Sequence, residues 1–122
     1  MKKQTTSSLK KKLDKVFSIY IRQRDNGQCY TCPKKDEWKW MQNGHFVPRQ
    51  YLAVRYDEKN CHCQCYACNM LYNGQPSAYA EHLKRDYGDD IIRELESKRQ
   101  QITKDFPYEE KIKYYEEKNR QE

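Results

Sequence analysis

Two Cys-x-x-Cys pairs, Cys29/Cys32 and Cys65/Cys68, stand 32 intervening residues apart in a chain of 122 residues. No other feature constrains the fold as much. Zinc favours four thiolates in a tetrahedron, and each pair turns two sulfurs toward one point about 2.3 Å from the metal. A chain that closes such a site brings both knuckles together and loops out the residues between them. The core needs that help. Leu, Ile, Val and Phe together number 18, an inventory close to that of disordered chains. Eleven Tyr and two Trp add large area with a polar handle, and a metal supplies folding energy that a small core cannot. Length sets a single domain.

No stretch approaches the roughly 18 apolar residues of a membrane span. The start, MKKQTTSSLKKK, is basic but has no apolar segment behind it, so it does not read as a signal peptide. A cytoplasmic location is expected, with reduced thiols, and paired spacing then favours metal over disulfide. Cys61 and Cys63 can in principle replace Cys65 as ligands, but their spacing to Cys68 suits a knuckle less well. They read as small buried residues or free thiols. A redox Cys-x-x-Cys lacks the βαβ pattern that would carry it.

The net charge of +6 is unevenly spread. Residues 1–55 carry 13 Lys and Arg against 4 Asp and Glu, whereas residues 56–122 carry 11 against 14. Such a split suits one face for a polyanion and another for solvent or a partner; a merely solvated surface is the plainer alternative. Residues 8–25 read as an amphipathic helix with Leu9, Leu13, Val16, Phe17, Tyr20 and Ile21 on one face. Ser7 or Ser8 is the expected cap, and Asn26-Gly27 the stop. The opposite face offers Lys11, Lys12 and Lys15 as phosphate contacts.

Trp38–Gln42 alternates like a strand and leads into Gly44-His45-Phe46-Val47-Pro48-Arg49. Residues 51–56 suit a short strand or a core-packed loop. Residues 77–87 and about 90–104 read as helices, the first stopped by Gly88, the second capped by Asp89 and broken by Pro107. The charged tail 108–122 is either a last helix, one formed on dimerisation, or a frayed end. Between these, Asn60-Cys-His-Cys-Gln-Cys65-Tyr-Ala-Cys68-Asn69 packs four cysteines, a histidine and two asparagines into ten residues. That density assembles a polar site, not a core.

The order of knuckle, histidine strand, loop, asparagine and second knuckle followed by Asn resembles the HNH (ββα-metal) nucleases with a four-cysteine zinc site. The resemblance implies an α+β fold: a small zinc-stabilised HNH-like core with flanking α-helices. It divides as a basic helix at 1–28, the nuclease core at 29–88 and a helical segment at 89–122 that is a candidate for dimerisation. His45 then deprotonates the attacking water, and Asn60 orients His45 through backbone and side-chain hydrogen bonds. Asn69 holds a catalytic Mg²⁺ or Mn²⁺ against the scissile phosphate. His62 is open to three roles: second metal ligand, phosphate contact or support for another ligand. Arg49 suits a phosphate clamp, with Arg55 the weaker choice. His82 reads as structural or solvated.

A narrower likeness covers Leu9 to Leu95. The blocks KKKLDKVFSIYIRQRD at 10–25, CYTC at 29–32, W-x-W-M-Q-N-GHFVPRQ at 38–50, RYDEKNCHCQCYACN at 55–69, G-x-x-x-x-Y at 74–79 and LKRDYG at 83–88 resemble the phage lambda NinG (Rap) recombination proteins. That family implies a structure-directed endonuclease acting on branched recombination intermediates such as Holliday junctions and D-loops, and symmetric resolution implies a homodimer with the terminal helices as candidate interface. One departure stands out. Many HNH sites place a metal-binding Asp or His immediately before the catalytic histidine, and here that position is Gly44. A non-catalytic, zinc-built DNA-binding module is therefore the competing reading, and a sequence-specific restriction or homing nuclease a third.

Overall fold

In the computed structural model, which describes residues 4–121, the elements in chain order are α1 (Thr6–Arg24), β1 (Gln42–His45), α2 (Leu52–Arg55), β2 (Cys61–Gln64), α3 (Pro76–Tyr87), α4 (Ile91–Lys98) and α5 (Tyr108–Arg120). A 3-10 turn at Trp38–Trp40 precedes β1, and a π-helical turn at Ala67–Leu71 follows β2. Residues 1–3 of the basic start and residue 122 of the tail lie outside the described residues.

Helix α1 forms where its apolar stripe recurs, burying Leu13, Phe17 and Ile21. Its cap is Thr5, whose hydroxyl accepts from the Ser8 N–H at 3.0 Å, one turn earlier than the serines expected from sequence. It stops at Asn26 and Gly27, both at positive φ. A Cβ on Gly27 would lie 1.8 Å from the Asp36 carbonyl oxygen, so only glycine passes there.

Helix α5 packs on α1. Tyr108, Ile112 and Tyr115 share one buried cluster with Leu13, Phe17, Ile21, Tyr56 and Cys61. The Phe17 ring meets Tyr56 and Tyr115 edge-on at 5.6 and 5.0 Å. The tail is thus an ordered helix, and the apolar faces of the two terminal helices cover each other within one chain.

Strands β1 and β2 pair antiparallel, with Gln42, Asn43, Gly44 and His45 opposite Gln64, Cys63, His62 and Cys61. Two strands alone are marginal in water. Here α1 covers one face, which carries Asn43 and His45, while Tyr79 of α3 lies on the other, beside Gly44 and His62. A second buried cluster joins Val47 and Val54 to Tyr79, Leu83, Ile91 and Leu95 of α3 and α4.

Three local expectations change. The tryptophan segment is a 3-10 turn, not a strand, because Cys65 leaves β2 for its knuckle and offers no partner before Gln42. Residues 52–55 form a single helical turn with Val54 buried. Helix α4 ends at Lys98 rather than near 104, and Ile102 is 86% exposed. A helix persists where packing holds it, and past Leu95 none of the expected apolar positions reaches the core.

Candidate metal centre and active site

The four knuckle cysteines converge. The sulfurs of Cys29, Cys32, Cys65 and Cys68 all lie within 4.8 Å of one another. Cys32 and Cys65 are 3.7 Å apart, matching the edge of about 3.8 Å that a tetrahedron with 2.3 Å metal–sulfur bonds requires. Backbone N–H groups support the sulfurs: Cys65 donates to Cys29 Sγ at 3.3 Å and Cys68 to Cys65 Sγ at 3.4 Å. All six cysteines are free thiols, and Met41 packs with the cluster. Donor type, number and spacing fit zinc. Cys61 and Cys63 stay outside this group: both are fully buried, Cys61 against α1 and Cys63 beside the knuckles.

The zinc-type cluster fixes the π-helical turn that begins at Ala67, and the turn presents Asn69. Its side-chain amide donates to Gln42 Oε1 at 2.7 Å, which joins the turn to the start of β1 and leaves Asn69 Oδ1 without a partner among the described residues. The turn does not run on into α3. Residues 72–75 intervene, so the expected hairpin-plus-helix unit is reduced here to a hairpin plus one turn.

A cavity of about 390 Å³ opens between α1, β1 and this turn, lined among others by Asp14, Arg22, Asn43, His45, Arg49 and Asn69. His45 Nε2–H donates to the Arg55 carbonyl at 2.9 Å. That bond fixes the neutral tautomer and leaves the lone pair on Nδ1. Burial pulls the pKa of His45 below its ordinary value, and the charges of Arg55 and Arg49 add to this; only the Arg55 carbonyl and Asp14 work the other way. The imidazole is therefore neutral at pH 7 and able to accept a proton.

Asn60 is fully buried and does not touch the His45 ring. Its Oδ1 accepts from the Val47 N–H at 2.8 Å, and its amide donates to the carbonyls of Val47 and Val54 at 2.9 and 3.1 Å. It therefore braces the loop between the strands. Val54 adjoins Arg55, whose carbonyl holds His45. The expected direct bond is replaced by this route.

Arg55 is committed elsewhere. Its guanidinium grips Asp14 with two bonds, at 2.9 and 2.6 Å, and donates to the Arg49 carbonyl at 3.1 Å. Asp14 also accepts from Tyr56 at 2.6 Å. Burial opposes ionisation of Asp14, yet these bonds outweigh it and hold the carboxyl below its ordinary value. Arg55 thus shapes the cavity wall. The exposed Arg49 has no side-chain partner among the described residues and remains available to a phosphate. Lys11 and Lys15 are exposed and continue the α1 stripe of Ser18 and Arg22 that lines the cavity; Lys12 projects away from it.

His62 faces the opposite side of the hairpin. Its ring stacks on Tyr30 with centroids 3.8 Å apart, and both nitrogens are engaged, Nδ1 with Tyr79 Oη at 3.1 Å and Nε2 with Tyr87 Oη at 3.0 Å. The structure removes it from the cavity that holds His45 and Asn69. His82 Nδ1 donates to the Tyr30 carbonyl, a structural role.

Gly44 also points away from the cavity. A Cβ there would lie 1.8 Å from Gln64 Oε1 and 2.6 Å from its Cδ. The Gln64 side chain is fully buried and tethered by its amide to Thr31 and to the Gly74 carbonyl, both at 2.9 Å. Any ligand-bearing side chain at position 44 would collide with it. Sequence reading passed over two cavity residues, Asn43 and Asp14. Asn43 shares the His45 face by strand alternation, a signal present in the sequence; its Oδ1 is buried without a partner. Asp14 lies within the block at 10–25, where nothing in the sequence sets it apart from the other charged residues of α1.

The comparisons with known proteins agree with the sequence blocks. No solved structure matches the chain. It is 27% identical over 88 residues to "Protein ninG" of Escherichia phage 933W, covering 71% of this chain and 44% of that protein. It is 26% identical to "Protein ninG" of Escherichia phage lambda and 27% to that of Salmonella phage P22, again over 88 residues. The chain spans less than half the length of these curated relatives. The family model for the bacteriophage lambda NinG protein matches residues 1–121, and the chain belongs to the NinG family.

Proposed function

We propose that this chain is a metal-dependent, HNH-type DNA endonuclease that cleaves branched recombination intermediates such as Holliday junctions and D-loops. The observation that carries the reading is His45: a neutral imidazole, locked by Arg55 with Nδ1 free, on the wall of a cavity shared with Asn69 and Arg49. His45 Nδ1 accepts the proton of a water that attacks phosphorus. The Arg49 guanidinium binds a non-bridging phosphate oxygen. Lys11 and Lys15 extend the positive track along α1.

The oxygen donors in the cavity suit a hard cation only sparsely. Asp14, the sole carboxylate lining it among the described residues, is spent on Arg55 and Tyr56. Asn69 Oδ1 is the candidate ligand, with Asn43 Oδ1 beside it if its side chain turns outward. That set fits Mg²⁺ or Mn²⁺ taking its remaining ligands from water and substrate phosphate. Such an ion would neutralise charge on the leaving oxygen. A homodimer, which two symmetric nicks call for, needs a surface other than the α1 and α5 apolar faces.

The same scarcity of acidic ligands favours the second reading, a zinc-built DNA-binding module without catalysis. A labelled four-way junction and a matching linear duplex, each incubated with Mg²⁺, Mn²⁺ or no added divalent cation, separate the two. Cation-dependent nicking of the junction, weak on duplex, is expected. Junction binding with no nicking under either cation would leave the binding module.

A further inference from the structure

Five large apolar side chains stand in solvent beside the candidate site. Trp40, Tyr66, Met70, Leu71 and Tyr72 are each between 56% and 67% exposed. Trp40 lies two residues before Gln42 and Tyr66 two residues after Gln64, so both leave the hairpin at the same end. The bond between Asn69 and Gln42 ties the turn carrying Met70 and Leu71 to that end, and Met70 itself lines the His45 cavity. A chain with 34% charged residues and a mean hydropathy of −1.30 has ample polar side chains for its surface. A concentration of exposed apolar residues on it marks an interaction site.

The surrounding charge says what kind. Residues 38–56 and 59–80 contain no Asp or Glu, whereas Lys39 adjoins Trp40 in the chain and Arg49 lines the same cavity as Met70. The two acidic residues between these segments are engaged, Asp57 by Lys98 and Glu58 by Tyr20 and Tyr115. Aromatic and aliphatic side chains among cations suit nucleobases, whose faces stack on rings while their phosphates meet positive charge.

Resting on the nuclease reading, we infer that Trp40, Tyr66, Met70, Leu71 and Tyr72 form a rim that receives DNA bases left unstacked where strands branch. In continuous duplex the base faces are occupied by their neighbours, so the rim finds nothing to stack on. At a branch point, tyrosine rings take the free faces, and Met70 or Leu71 enters the opened step. The rim thereby sets the preference for branched over continuous DNA and places a phosphate near the branch in the cavity.

The test is fluorescence-anisotropy binding of the zinc-loaded full chain, without added Mg²⁺ or Mn²⁺, to a four-way junction and to linear duplex of the same sequence. The triple variant Tyr66→Ala/Leu71→Ala/Tyr72→Ala should lose about tenfold or more of the junction preference while duplex affinity holds. Tyr66→Phe/Tyr72→Phe, which keeps the rings, should retain it. Zinc content and circular dichroism confirm that each variant is folded. Preference that survives the triple variant, an equal loss on both DNAs, or no preference in the parent chain would overturn the rim. A dimer that becomes monomeric in the triple variant with preference intact would assign the patch to a second copy. The cleavage assay keeps the two proposals apart. Rim-dependent preference without cleavage removes the nuclease reading alone, and cleavage with rim-independent preference removes the rim alone.

Discussion

At the scale of single residues, the packing of Gln64 accounts for glycine at position 44. Position 44 faces a packed glutamine, so a side chain there meets the core before it can meet a cation. Gly44→Ala should cost about 1–3 kcal/mol as an overpacking change. Gly44→Ala combined with Gln64→Ala should recover part of that loss, measured by urea denaturation. Equal losses in the single and double variants would mean the contact is not the cause. His62 gives a second residue-level prediction. Burial, with the charge of Arg24 adding, pushes its pKa down to about 4, against Asp25 and Asp86; Tyr30, Tyr79, Tyr87 and His82 complete its surroundings. The unfolded chain, with a pKa near 6.5, binds this proton more readily. Stability from His62 is therefore full above about pH 6.5 and falls as pH drops toward 4, by about 3 kcal/mol in all. His62→Gln should flatten that part of the stability profile, as read from thermal melts between pH 4 and 7.

At the scale of elements, the four-cysteine cluster does what the apolar inventory cannot. It pins the open end of a two-stranded hairpin and forces the π-helical turn that presents Asn69. Removing zinc with a strong chelator should collapse the near-ultraviolet dichroism of the tyrosines and tryptophans and lower the melting temperature sharply. One zinc per chain should restore both; refolding without metal would contradict the assignment. The knuckles were legible because Cys-x-x-Cys spacing encodes its own geometry, and α1 because its apolar stripe keeps helical spacing from Leu9 to Ile21. The Trp38–Trp40 turn was not legible: alternation there resembles a strand, and only the departure of Cys65 shows that no partner exists. The end of α4 was hidden for the opposite reason, since Ile102 keeps helical spacing but has no core to meet. His45 and Asn69 could be placed together by pattern. The route from Asn60 through the loop to the Arg55 carbonyl, and the turning away of His62, depend on contacts between distant segments that spacing does not encode.

At the scale of the whole molecule, α1 links the parts. Its apolar face carries α5, its Asp14 holds Arg55, and its outer stripe runs from Lys11 and Lys15 to Arg22 at the cavity. Lys11, Lys15 and Arg22 of the basic first half thus share one stripe that leads to the candidate site, while α5 of the second half packs against the apolar face of α1. No described helix is long and apolar enough to cross a membrane. The role of His45 as the base that activates water is tested most directly by single-turnover cleavage of a four-way junction by the parent chain and by His45→Ala. Protein should be saturating, zinc content matched and Mg²⁺ present. The cleavage rate should fall about 100-fold or more in His45→Ala, with junction affinity unchanged. Equal rates in the two proteins would contradict that role.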